Sequence, residues 1–375
     1  MRYLVFLLLF VFPNQLFCEV LISDYEDYEF VNNDFNLEEL PFELNNPWGM
    51  TFINEETLLI TEKKGNLYKI NIKNKTKEKV NHDLNLIAFG QGGLLDILYY
   101  EGYVYFTYSH KVDKKSSSTA IARGNLINNR IQNLEVIFIS QPGISYSDVH
   151  FGSRLAIKNN YLFASIGERG KGMIAQDPTK HPGSIIRIHL DGSIPADNPK
   201  FINKPEWLPE IYQIGVRNPQ GMTLSPFDNQ IYISNHGPMG GDFIGIVKHS
   251  GNYGWKEIGW GGKNYSYSQI GDGKAFKDKF DKPLLSWVPS IAPSDIVFYN
   301  HKLFSEWKGD LLVTSLKFKM LLKITINENK ETIIRKIIKN NTGRIRDVEI
   351  DNNGQIYIII DDKNSSIFRI TKDHL

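Results

Sequence analysis

Cysteine is all but missing: Cys18 is the only thiol among 375 residues. A chain trimmed past that point can form no internal disulfide and no thiolate metal site. Long apolar runs are equally scarce. The one clear run covers residues 3–12, behind Arg2 and ended by Pro13, and no later stretch is long enough to cross a bilayer. That run is short for a spanning helix but suits a secretory signal. Residues 1–18 therefore read as a signal peptide of an exported, periplasmic or secreted protein, with no membrane span in the mature chain. Gln15 stands where a lipoprotein signal calls for Leu, which argues against a lipid on Cys18. An excess of one charge is missing as well: Lys+Arg 43 against Asp+Glu 42 leaves +1, which argues against a protein built around nucleic-acid phosphate.

What is present is a chain that is 41% hydrophobic and 23% charged, enough to bury a core. Its charge is uneven. Twelve acids and no base lie between Glu19 and Glu62, whereas residues 63–375 carry 42 bases against 30 acids. Residues 19–40 read as a flexible acidic extension ahead of a folded domain at 41–375. Nothing in that domain keeps a helical period over three turns. One phrase recurs instead: a short apolar strand, a turn rich in Gly, Asn or Asp, then a second strand ending in Ser, Thr or an acid. It occurs at 48–52 with 57–61, 93–97 with 103–107, 153–157 with 161–165, 221–224 with 230–234, 295–298 with 310–314, and 346–350 with 355–359. Six such copies predict an all-β, six-bladed β-propeller. A β-sandwich also has many short strands, but it has no reason to repeat one phrase six times.

Polar residues gather at the same ends of the phrase. Gln91, His150, Arg217, Asn218 and Arg344 precede first strands; Glu62, Lys63, Glu168, His236 and Lys317 follow second strands. In a propeller these ends converge on one mouth of the central channel. Familiar nucleotide and metal signatures fail: no GxGxxG, no phosphate loop and no HExxH is present, and Asp351-Asn-Asn-Gly354 is a hairpin turn rather than a calcium loop. On spacing alone His150 reads most simply as a structural hydrogen-bonding histidine. Arg344 and Arg346 alternate around Ile345, so both face one side of a strand.

The loops Gly90-Gln-Gly-Gly-Leu-Leu-Asp96, His150-Phe-Gly-Ser-Arg154, Ile166-Gly-Glu-Arg-Gly170, Gly215-Val-Arg-Asn-Pro-Gln-Gly221, His236-Gly-Pro-Met-Gly-Gly-Asp242, Asn252-Tyr-Gly-Trp255, Pro289-Ser-Ile-Ala-Pro-Ser294 and Arg344-Ile-Arg-Asp347 run in a telling order. Together they resemble the soluble aldose sugar dehydrogenases, secreted quinoproteins related to soluble glucose dehydrogenase and the sorbosone dehydrogenases. The resemblance covers about residues 47–370. It implies a six-bladed propeller with pyrroloquinoline quinone (PQQ) and calcium at the mouth, oxidising an aldose at C1 to a lactone. It implies His150 as the base that takes the hydroxyl proton. Lys317, Arg344 and Arg346 would hold the quinone's carboxylates and carbonyl oxygens, and Gln91, Arg217 and Asn218 would touch cofactor or substrate. Glu168 stands where an Asp is common, beside the sugar. Trp287 lies near a family aromatic beside the sugar and could equally be core. Main-chain oxygens of Gly237 and Pro238 would bind calcium as hard ligands, with Asp242 a nearby charge.

Departures cluster on one loop: Asn235 replaces the family's acid, Met239 its Arg, Phe243 its Glu and Gly245 its Asn. They make a second calcium, near the main-chain oxygen of Tyr253, weak or absent. The expected partners are an aldose substrate and an unidentified electron acceptor, with the chain a monomer or dimer. Two alternatives stay open at this point: a non-catalytic propeller that binds a sugar or protein at its mouth, and a calcium-dependent lactonase-type hydrolase.

Overall fold

Each of the six repeated phrases forms the two inner strands of an antiparallel sheet, and the six sheets are the blades of a β-propeller. The computed structural model describes residues 21–31, 35–200, 206–329 and 331–372; the signal peptide expected at 1–18 lies outside them. Among the described residues there are three short 3₁₀ turns and no α-helix. Blade 1 shows the plan: Pro47–Asn54, Thr57–Glu62, Leu67–Asn71 and Thr76–Val80 pair in sequence order from the axis outward. The innermost strands, Pro47–Asn54, Leu94–Tyr100, Gly152–Lys158, Pro219–Leu224, Pro293–Phe298 and Ile345–Ile350, touch one another in a closed ring. Second strands such as Thr57–Glu62 and Ile356–Ile360 are buried throughout, packed between neighbouring blades on both faces. That double burial is why they read as apolar runs.

The ring is closed by the acidic segment near the N-terminus. Asn36–Leu44 pairs antiparallel with Ser365–Thr371 and completes blade 6, so the first strand of the domain is joined to the last. The expectation of a flexible extension ending at residue 40 is therefore corrected: this strand runs straight across that boundary. Its alternation explains both readings. Leu40, Phe42 and Leu44 are buried, whereas Glu39, Pro41 and Glu43 face solvent and Glu38 pairs with Arg369. Burying each of those three apolar side chains contributes about 1.5–3 kcal/mol. Leu21–Ser23 adds a parallel strand to Leu285–Trp287 of blade 4, and Tyr25 stacks on Phe318 of blade 5 with ring centroids 3.7 Å apart.

Arg154 plugs the axis. Its Nη1 lies 2.7 Å from Asp96 and 2.6 Å from Asp347, and its Nε donates to the Gln220 carbonyl at 2.6 Å and lies 3.3 Å from Asp295. Its Nη2 reaches the carbonyls of Ser294 and Arg346, and Asp347 in turn accepts from the Met50 N–H at 2.7 Å. One side chain thus links all the blades. Three carboxylates against one guanidinium leave negative charge in a buried place. Burial accordingly pushes Asp96 up to about 6 and Asp295 well above the usual range, even though Arg154 pulls both down.

Candidate functional site

At the mouth, the ends of the inner strands and the loops beyond the second strands surround a cavity of about 350 Å³. Gln91, His150, Arg217, Asn218, Arg344 and Arg346 all line it, although 255 residues separate the first from the last. Trp48 covers its floor. That indole lies under Arg154 on the axis, 4.5 Å from the guanidinium, and 5.6 Å from that of Arg346. Leu95, Phe151 and Leu316 add apolar wall, and Lys63, Gln220, His236, Tyr265 and Asp361 add polar groups.

His150 is held by both its backbone and its ring. Its backbone sits at φ 52, in the left-handed region that few non-glycine residues adopt. Its N–H donates to Gln91 Oε1 at 2.8 Å. The carbonyl on its other side packs so tightly on Gly167 that an added Cβ there would lie 2.1 Å from it, which demands glycine at that position. The ring Nδ1 lies 2.5 Å from Glu168 Oε1, and Glu168 Oε2 also accepts from the Gly172 N–H. Burial lowers the His150 pKa from 6.5, with Arg217 adding to the fall and Glu168 opposing it. Burial alone would raise Glu168, but its bond to His150 and the nearby charges bring it down overall. Both directions describe one state: an ionised Glu168 accepting from the Nδ1–H of a neutral imidazole, with Nε2 left free to take a proton.

The rest of the cavity is cationic. Lys63, Arg217, Arg344 and Arg346 face a single carboxylate, Asp361, which Arg346 binds at 2.6 Å. Arg346 also donates to Gln220 Oε1 at 2.9 Å, yet its Nε is buried without a partner, and so is His236 Nε2. His236 is pushed down to about 3 by burial and by the charges of Arg217 and Arg346, so it is neutral near pH 7. Asn235, where the resemblance implied an acid, accepts the N–H groups of both Arg217 and Asn218 at 3.0 Å through its amide oxygen. A neutral acceptor therefore suffices to shape that turn.

Several residues singled out in the sequence lie elsewhere. Glu168 does not line the cavity; it stands behind His150 because its carboxylate is spent on the ring and on Gly172. Trp287 is fully buried in the core, where its Nε1 donates to Tyr28 Oη at 2.9 Å. Lys317 is exposed, with its ammonium 4.8 Å from the Phe318 ring; its neighbour Leu316 supplies the cavity wall. The aromatic side chains Trp48, Phe151 and Tyr265 line the cavity instead. Position in the first repeated strand could have flagged Trp48, whereas Tyr265 sits on a loop that no repeat predicts.

The two expected calcium positions differ. At the first, the carbonyl oxygens of His236 and Gly237 converge on Arg217 Nη1, each at 3.1 Å. Of the two oxygens expected to bind calcium, that of Gly237 is thus already bonded to the Arg217 guanidinium. Asp242 is turned away beneath it, accepting from Gly237 N, Ala292 N and Ser290 Oγ, and burial raises its pKa to about 6. The second position does not fit a metal. The Phe243 ring packs 4.7 Å from Tyr253 and 6.4 Å from Trp260, and the Tyr253 carbonyl accepts from Trp260 Nε1. Gly245 leaves room for the Tyr253 hydroxyl, which bonds both N–H and carbonyl of Ile246.

Fold and cavity together define a class: a propeller whose mouth holds a histidine–carboxylate pair among cations. The chain belongs to the glucose/sorbosone dehydrogenase family, whose pattern matches residues 44–369. It is 33% identical over 322 residues to aldose sugar dehydrogenase YliI of Escherichia coli K12, covering 83% of this chain and 86% of that protein. The crystal structure of soluble aldose sugar dehydrogenase from Escherichia coli in the apo-form superposes with a TM-score of 0.83 at 30% identity, covering 90% of this chain and 99% of the other. The PQQ-bound form of an aldose sugar dehydrogenase from Streptomyces coelicolor shares the fold, with a TM-score of 0.72 at 20% identity over 90% and 98% of the two chains.

Proposed function

We propose that this chain is an exported quinoprotein that oxidises an aldose at its C1 hydroxyl to the lactone. The observation that carries the reading is the His150–Glu168 pair on the wall of a cationic cavity. PQQ is planar and bears three carboxylates. The donor set suits it: Arg217, Arg344, Arg346 and Lys63 outnumber Asp361, Trp48 offers a flat floor, and Arg346 Nε and His236 Nε2 are buried without partners. A volume near 350 Å³ lies within the usual range for such ligands. When bound, PQQ supplies the acceptor for the hydride leaving C1, and calcium adds Lewis-acid polarisation.

The chain's own part is proton chemistry and positioning. His150 Nε2 takes the C1 hydroxyl proton as the C1–H bond breaks and the C1–O bond becomes a carbonyl. Glu168 holds the ring in the tautomer that leaves Nε2 free, then stabilises the imidazolium. Gln91 fixes the His150 backbone, and Arg217, Arg344 and Arg346 would pair with the carboxylates of the anionic ligand. For calcium, the carbonyls of Gly237 and Pro238 are the proposed ligands, in competition with Arg217 for the Gly237 oxygen. Export is inferred from the apolar run at residues 3–12. The electrons then pass to a separate acceptor.

The test is reconstitution. Purified protein is titrated with PQQ, with and without calcium, and dye reduction is followed over a panel of aldoses and alcohols. Aldose-dependent reduction that requires PQQ supports the reading. PQQ binding without turnover on any sugar would favour a binding module, and PQQ-independent lactone hydrolysis would favour a hydrolase.

A further inference from the structure

Arg169 follows Glu168 in sequence and is almost completely buried. A buried guanidinium normally has a carboxylate against it, but this one forms no ion pair among the described residues; Asp148 and Glu168 act on it only at longer range. Its donors go to main-chain carbonyls instead. Nε donates to Val149 O at 3.0 Å, Nη2 to Ser147 O at 2.6 Å, and Nη1 to Ser117 O at 3.0 Å, with Ser117 Oγ 3.1 Å from Nη2. The guanidinium carbon lies 3.6 Å from the centre of the Phe151 ring, on the cavity wall. Its backbone closes the same knot: the N–H donates to His150 O at 3.2 Å and the carbonyl accepts Ser147 Oγ at 2.7 Å. Arg169 itself sits at φ 55, in the left-handed region, a conformation kept only where the surroundings enforce it.

The contacts share one target. Ser147, Val149, His150 and Phe151 are all gripped by this residue, and Ser117 anchors it to blade 2. Gln91 holds the His150 N–H and the Asp148 carbonyl, and Thr119 holds the Phe151 carbonyl; the carbonyls of Ser147 and Val149 fall to Arg169, whose rigidly placed donors set their path. Burial pulls Arg169 down to about 10, a mark of what its placement costs. A lysine has no planar fork, and a neutral side chain has no charge behind the ring.

We infer that Arg169 is a positioning residue for the proposed base, templating the turn from Ser147 to Phe151 so that His150 meets Glu168 and the cavity at once. The inference rests on His150 being the base, and its test separates the two ideas. The groups whose charges act on the imidazole are Glu168, Arg217 and Arg169; His236, which also lines the cavity, is neutral near pH 7.

Arg169→Met and Arg169→Lys are made in the PQQ-loaded full chain and read in two ways. Turnover at saturating PQQ should fall roughly 10- to 100-fold in Arg169→Met, the scale of a misplaced catalytic group, with PQQ affinity within about threefold of wild type and a partial recovery in Arg169→Lys. Nitrogen-15 NMR of the His150 ring, assigned by its loss in His150→Asn, should show the Nδ1–H form bonded to Glu168 in wild type and a mixture of tautomers in Arg169→Met. Variants that are less stable but keep both the tautomer and turnover within twofold would overturn the inference, leaving Arg169 merely structural. Should the Met variant not fold, the Lys variant carries both readouts. Turnover surviving in His150→Asn would remove the base, while the NMR arm still decides whether Arg169 positions the ring.

Discussion

Replacing Glu168 with Gln tests the heart of the site with one atom's change. The carboxylate is buried, lies 2.5 Å from His150 Nδ1 and also holds the Gly172 N–H, so an isosteric amide keeps the shape while removing the charge. A hydrogen bond to a charged group contributes about 1.5–3 kcal/mol and a neutral one about 0.5–1.5. The difference, roughly 1–1.5 kcal/mol, falls on the imidazolium formed as the proton arrives, and corresponds to about a tenfold loss of rate. A second loss follows when the Gln amide donates to Nδ1, because the ring proton then moves to Nε2 and blocks it; together the two predict a fall in kcat of about 10- to 100-fold. The pH profile moves in a defined direction. Glu168 raises the His150 pKa while burial and Arg217 lower it below 6.5, so removing the carboxylate drops it further. The acid limb of kcat should therefore shift to lower pH as the plateau falls. The assay is kcat against pH at saturating PQQ, with PQQ affinity measured separately by titration. A variant with the wild-type plateau and an unmoved limb would refute both the pairing and the role of His150.

Further outcomes are equally specific. Arg346→Ala removes a buried guanidinium from the cavity and should weaken PQQ binding by about 1.5–3 kcal/mol, read by fluorescence titration; unchanged affinity would refute the proposed cofactor position. Phe42→Ala opens the closing strand of blade 6 and should cost about 3–5 kcal/mol in urea unfolding; a loss below 1 kcal/mol would mean that the N-terminal strand does not hold the ring. Asp96 and Asp295 have folded-state pKa values raised by burial, so their protonated forms fit the axis and their ionisation opposes folding. Stability should decline as pH rises from about 4 through 6, and Asp295→Asn should flatten that decline in thermal melts; identical pH slopes would count against it. Phe243→Ala should lose about 3–5 kcal/mol from its aromatic cluster, and millimolar calcium should not raise the melting temperature of the PQQ-free wild type. A rise that Gly237 and Pro238 cannot account for, seen as two calcium ions bound per chain, would show a second metal position despite that ring.

The repeat was legible because its strands do the same physical task six times. Second strands such as Leu311–Ser315 and Ile356–Ile360 are buried on both faces, so burial alone writes an apolar run into the chain. The outer strands were not legible. Thr76–Val80 is exposed except at Val80, and Ser116–Ile127 opens with three serines, so neither carries the pattern. The N-terminal strand was obscured for a further reason: its partner is more than 300 residues away, and its solvent face is acidic.

The sequence by itself determined the fold class, the number of blades, and that polar residues gather at corresponding strand ends, because alternation and strand-end position are local properties of the chain. Only the tertiary structure decided which of them enter the cavity. Lys63 enters and Lys317 does not; Trp48 floors it while Trp287 is core; Glu168 turns behind His150 rather than toward a sugar. Two of the buried arginines, Arg154 on the axis and Arg169 behind the base, had no signature, since their partners are mostly main-chain carbonyls and distant carboxylates. The direction of a side chain at a strand end is set by what packs around it, and that packing comes from blades far apart in sequence.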